Sequence, residues 1–228
     1  VLRSIALTLV ALAFAAPLVA QEVRPGIAVL PFENGGSYGK DKEDFDALRK
    51  GLAATLVYEL AQNPALRLVD RSECQRLLDQ QGVAVAERVD AGTAARVGQL
   101  AGARYIITGS FIDLYGDFRI DARLINVETG EIMKVVRSDP TLHDRRDMSR
   151  MVQSVAERIM ANSKLPALPA GTTRRMPVPT EALALFSRAL LYHDRGDNAN
   201  ALAFYQKALT IFPTYPEASD GLRKARGP

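Results

Sequence analysis

The stretch DFRIDARL, residues 117–124, constrains this chain more than any other. Phe118, Ile120, Ala122 and Leu124 alternate with Asp117, Arg119, Asp121 and Arg123. That period of two belongs to an extended strand with its apolar set on the core and its charges toward solvent. Turn signals flank it on both sides. Leu114-Tyr115-Gly116-Asp117 closes a hairpin with the apolar run Tyr105–Ile112, and Glu128-Thr129-Gly130 leads into a return strand from Glu131 to Arg137. The three strands make an antiparallel meander.

Upstream, GIAVLPF at 26–32 reads as a buried strand that stops in the loop Glu33-Asn34-Gly35-Gly36. The period then lengthens. Phe45, Leu48, Leu52, Leu56 and Leu60, widened by Ala53 and Val57, predict an amphipathic helix ended by Asn63-Pro64. Leu66–Val69 predicts a short strand. Asp70 or Ser72 caps a helix carrying Cys74, Leu77 and Leu78 that Gly82 breaks, and Asp90 caps another with Ala94, Val97 and Leu100. Downstream, Met148, Met151, Val152, Val155 and Ile159 form the stripe of a helix over 144–162, where methionine fills core gaps.

The order β-α-β-α-α-β-β-β-α predicts an α+β domain, a mixed sheet covered by helices. Residues 163–179, SKLPALPAGTTRRMPVP, shift composition. Their prolines without an apolar period predict a semi-rigid linker, at most ~50 Å long as polyproline II. The expected organisation is therefore a main domain over 21–162, the linker, and a small all-α tail over 180–228. On that division the main domain keeps its fold when the tail is removed.

Residues 1–20 predict the compartment. Arg3 precedes an apolar run from Ile5 to Ala16, Pro17 breaks it, and small residues lead to Ala20 before Gln21-Glu22. This is the order of a cleaved secretory signal peptide, and the apolar run falls short of the roughly 20 residues a membrane span needs. Processing after Ala20 removes Arg3 alone among the charges, so the net charge of +3 becomes +2. A balance that small, with acids and bases interspersed, points away from nucleic acid. Cys74 is the single cysteine and reads as a helix residue without a disulfide, and with two distant histidines no zinc set can be assembled.

Catalytic patterns fail on spacing. The loop GGSYGK at 35–40 is one residue short of a phosphate-binding loop, and Asp41 stands where a hydroxyl residue would hold magnesium. Ser110 in TGSFI lacks the Gly-x-Ser-x-Gly elbow. Asp113, Asp117 and Asp121 do not match a calcium loop, and His143 and His193 fall in different predicted units. No catalytic, cofactor or metal residues are expected.

Residues 182–215, ALALFSRALLYHDRGDNANALAFYQKALTIFPTY, resemble one tetratricopeptide repeat. Ala189 and Tyr192 match in the first helix, Gly196 with Asp197 in the turn, Ala201, Tyr205 and Ala208 in the second helix, and Pro213 after it. Small residues at these positions let two antiparallel helices approach closely. The match departs at Leu185, where a large aromatic is common, and at Arg188, where leucine is usual. A lone repeat needs a neighbour, so it must pack on its own chain, on a second copy or on a partner. The resemblance implies protein binding.

IAVLPFEN, LRKGLAATLVYELAQNPALRLVDRSE, GQLAGARYIITGSFID and FRIDARLINVETGEI, in that order over 26–137, resemble the domain of the CsgG curli-secretion family and the TolB amino-terminal-like domains. The resemblance implies an exported, non-catalytic factor that binds envelope proteins during curli-type secretion or envelope assembly, with no cofactor. Self-association and a peripheral position at the outer membrane are compatible with it. CsgG channels themselves carry a lipidated cysteine and extra barrel hairpins. This chain has no cysteine near residue 20 and no two spare alternating stretches of about ten residues. An oligomeric channel subunit is therefore the alternative within the family, and a periplasmic hydrolase the alternative from another class.

Overall fold

The computed structural model describes residues 24–37, 42–82, 89–138, 143–161, 165–170 and 175–227. The expected signal segment lies outside the described residues. Among those described, no helix is long and apolar enough to cross a membrane.

The sheet is mixed, as expected. Strands β1 (Gly26–Val29), β2 (Glu33–Asn34), β3 (Arg67–Leu68), β4 (Tyr105–Leu114), β5 (Asp117–Asn126), β6 (Ile132–Arg137) and β7 (His143–Asp144) run in the order β3-β1-β4-β5-β6. Two short strands join that path, β2 beside β4 and β7 beside β5. β1 lies parallel to β3 and β4, whereas β4, β5 and β6 form the antiparallel meander. Phe118, Ile120, Ala122 and Leu124 of β5 are at most 1% exposed, so the alternation reports the buried face directly. At the β4–β5 turn Tyr115 (φ 55°) and Gly116 (φ 112°) both take left-handed backbone, as a two-residue hairpin with right-handed strand twist requires.

Helices α1 (Lys42–Leu60) and α4 (Met148–Ala161) cover one face of the sheet, packing on Ile27, Ile107, Phe111, Phe118 and Ile120. Helices α2 (Arg71–Gln80) and α3 (Ala91–Leu100) cover part of the other, against Ala28, Leu30, Ile106, Ile125 and Val127. Asp70, not Ser72, is the cap of α2. Its carboxylate accepts from the Ser72 amide, and Asp90 does the same for Thr93 at α3.

The tail differs from the tethered unit expected from the sequence. Helices α5 (Thr180–Asp194), α6 (Asn198–Ile211) and α7 (Pro216–Ala225) share one continuous core with α1 and α4. Helix α1 is buried without a break from Ala47 to Leu56, because the sheet packs on one side of it and α5 on the other. At the crossing Gly51 faces Ser187 so closely that a Cβ on Gly51 would stand 1.7 Å from the Ser187 hydroxyl oxygen. The proline-rich stretch is likewise held where it is described. Leu165 and Val178 are buried, and the Asn63 amide donates to the carbonyls of Pro166 (2.8 Å) and Ala167 (3.2 Å).

Candidate functional site

Of the seven signature positions of the repeat, Ala189, Ala201, Tyr205 and Ala208 are buried and build its frame, whereas Gly196 and Pro213 are exposed at its turns. Ala189, Ala201 and Ala208 are fully buried where α5 meets α6. Gly196 turns the chain with φ 78°, and Asp197 caps α6 through the Asn200 amide. Tyr205 is buried with its ring 6.1 Å from Phe186, half-buried Tyr192 stacks on Phe204 at 5.4 Å, and Pro213 is exposed after α6. The lone repeat finds its neighbours in its own chain. α1 packs on α5, and α7 stacks on α6.

Charged groups fix this joint. Asp194, at the end of α5, receives Lys50 of α1 at 2.6 Å and both terminal nitrogens of Arg71 of α2 at 2.8 Å. Burial works against ionised Asp194, but the hydrogen bonds and charges of Arg71 and Lys50 outweigh it and hold the carboxyl below its ordinary value. Removing any one of these partners would leave charge buried and uncompensated where the three helices meet, which is strongly destabilising. Arg188, the departure from the repeat pattern, pairs with Asp44 of α1 at 2.7 Å and lies over the Phe204 ring. Tyr192 and Arg195 both reach Glu43. A leucine at 188 would leave Asp44 without this partner.

A cleft of about 360 Å³ remains along the seam, walled by α1, the β3–α2 junction, α5, α6 and α7. Val57, Leu68, Phe186 and Leu190 make its apolar part. Tyr58 donates to Asp220 across it, and Lys224 approaches Asp70 at 3.4 Å. Burial pushes the Tyr205 hydroxyl up to about 12, so it stays protonated.

A second surface lies at the far side of the sheet. β6 is an edge strand, and Ile132 and Val135 are 47% and 55% exposed on it. The register sets Val135 opposite Arg123 and Arg137 opposite Asp121, so these side chains and Arg119 share the sheet face away from α1 and α4. Asp121 lies 3.3 Å from Arg119 and 3.4 Å from Arg137. Sequence patterning did not mark this surface, because an open edge is a property of strand order.

The residues weighed for chemistry stay apart. Gly36 and Ser37 donate their amides to Asn34, so these two do not cradle a phosphate, and residues 38–41 lie outside the described residues. Asp113 is buried on the core face against Arg145, whereas Asp121 lies on the opposite face. Ser110 is half-buried in β4, His143 sits in β7 and His193 lines the seam cleft. Cys74 is buried, its thiol pushed up to about 11 by desolvation. Among the described residues no three His, Cys, Asp or Glu side chains are grouped to hold a metal.

Comparison with known proteins supports both resemblances read from the sequence. Residues 15–119 match the family model of the curli production assembly/transport component CsgG, and residues 182–215 match that of the tetratricopeptide repeat. A search of the curated proteins gives no match. Among solved structures, the LpoB C-terminal domain from Salmonella enterica is 20% identical, covering 50% of this chain and 80% of that one, with a TM-score of 0.37. E. coli LpoB is also 20% identical over 53% of this chain and 57% of its own, with a TM-score of 0.41. TolB from Acinetobacter baumannii is 16% identical over 61% of this chain but only 29% of its own, with a TM-score of 0.37.

Proposed function

We propose that this chain, a CsgG-like stretch packed on a tetratricopeptide repeat, is a non-catalytic accessory protein of the cell envelope that binds other envelope proteins. The observation that carries the reading is the closure of the repeat on α1. It makes the two parts one body, consumes the surface on which a lone repeat would need a neighbour, and leaves the β6 edge facing outward. A rigid body with an unpaired strand edge is suited to recognition, because it binds without first ordering itself. The CsgG-like stretch supports the envelope as the place, and residues 1–20 support export as the route.

Fractionation of cells with and without detergent, followed by sizing of the processed protein, tests this. A small species in the envelope fraction, released without detergent, is the expected result. A large ring that only detergent releases would overturn the reading in favour of a channel subunit. Recovery in the cytoplasm at its full precursor mass would refute export.

A further inference from the structure

We infer that the open edge of β6, with the arginine-bearing half-face beside it, docks an acidic extended segment of another protein, which joins the sheet as an added strand. The inference rests on the binding role proposed above and names the chemistry of the partner.

The backbone comes first. The Ser138 amide donates to the Ile120 carbonyl at 2.7 Å, which makes these two a hydrogen-bonded pair of the β5–β6 ladder. Antiparallel pairs alternate, so Val135 opposite Arg123 and Arg137 opposite Asp121 are non-hydrogen-bonded pairs. Their amides and carbonyls point out of the sheet. Arg158 of α4 takes the Arg137 carbonyl at 3.0 Å. The amide and carbonyl of Val135 and the amide of Arg137 remain on the edge, in the spacing an incoming strand reads.

Side chains set the partner's character. Proteins usually blunt an edge strand with charge, proline or a covering element, yet here two large β-branched residues stand about half exposed. Around them the charge balance is basic. Arg119, Arg123 and Arg137 share the face with two acids, Asp121 and Asp117 at the start of β5, and β6 itself carries Lys134 and no acid. Arg123 makes no ion pair with any described residue. A strand that alternates carboxylates with apolar residues would offer acids to the guanidinium groups and apolar contacts to Ile132 and Val135. A second copy fits less well, because pairing β6 with itself brings Lys134 and Arg137 of each chain into one seam against a single acid per chain, Glu131 just before the strand.

The test uses the processed full chain and three fluorescent eight-residue peptides. One alternates Glu and Val, one alternates Lys and Val, and the third is the Glu peptide with alternate amides N-methylated along one edge. Anisotropy measures binding, and hydrogen exchange reads the Val135 and Arg137 amides. The acidic peptide is expected to bind at least about tenfold more tightly than the lysine peptide, to weaken as salt is raised, and to slow exchange at Val135. N-methylation should abolish binding, and Arg123→Glu should reverse the preference between the charged peptides. Equal binding of all three peptides, or binding without protection at Val135, would overturn the inference. So would concentration-dependent dimers that protect Val135 without any peptide. Photo-crosslinking residues placed in cells at Val135 and at other exposed positions, Gln206 of α6 among them, separate the two levels of the account. Protein adducts elsewhere but none at Val135 would overturn the docking surface and leave the binding role standing. No adducts at any position would remove the binding role as well.

Discussion

Glu59 and Glu217 carry the clearest consequence at the scale of single residues. They are 9% and 4% exposed, on α1 and at the start of α7, and line a common cavity beside Arg175. Arg175 reaches Glu217 at 3.8 Å, while Gln153 and Gln62 donate to Glu59. Glu157 and Asp220 add negative charge nearby, and desolvation raises both carboxyls above their ordinary 4.5. From about that pH up to the raised value the folded chain keeps protons that the unfolded chain has lost, so stability falls as pH rises. Asp194 acts with the opposite sign and at lower pH, because its carboxyl is held below its ordinary 3.8 and its contribution is lost on acidification through that depressed value. We expect the urea midpoint to fall as pH rises above the ordinary carboxyl value of 4.5, and to fall less in Glu217→Gln. Parallel midpoint curves for the two proteins would contradict this. None of it was legible in the sequence, since Glu59 and Glu217 meet only after folding. Arg188 read as a flaw in the repeat for the same reason, its partner Asp44 lying 144 residues away.

Secondary elements were far more legible, because their signals are local. The alternation in β5, the apolar stripes of α1 and α4, and the Asp70 and Asp90 caps each lie within one stretch of chain. β2 and β7 escaped because Glu33-Asn34 and His143-Asp144 are polar pairs without an apolar signal, whereas β3, equally short, lies between Leu66 and Val69. The contact of α1 with α5 left only a weak trace, the small-residue run Gly51-Leu52-Ala53-Ala54, which widens an apolar stripe into a helix buried nearly all round. Gly51 tests that contact. A methyl group there meets the Ser187 side chain and its Cα, 3.2 Å away, so α5 must move. Gly51→Ala should destabilise the protein by about 1–3 kcal/mol despite alanine's higher helix propensity, with recovery in Gly51→Ala combined with Ser187→Gly. Chemical denaturation measures both. A stabilising Gly51→Ala would place α5 farther from α1 than described.

The whole molecule is where sequence reading and structure part. A proline-rich stretch without an apolar period reads as a tether, because polyproline makes no hydrogen bonds of its own and the residues that fix it lie elsewhere. Asn63, before the proline that ends α1, supplies that fixing through the carbonyls of Pro166 and Ala167. With α5 packed on α1 and α6 and α7 in the same continuous core, the main domain and the tail have no separate cores to melt separately. Scanning calorimetry of the processed chain tests this central claim most directly. One transition, with calorimetric and van't Hoff enthalpies equal, is the predicted result. Two resolved transitions, the smaller disappearing when residues 180–228 are removed, would contradict it and restore a tethered tail.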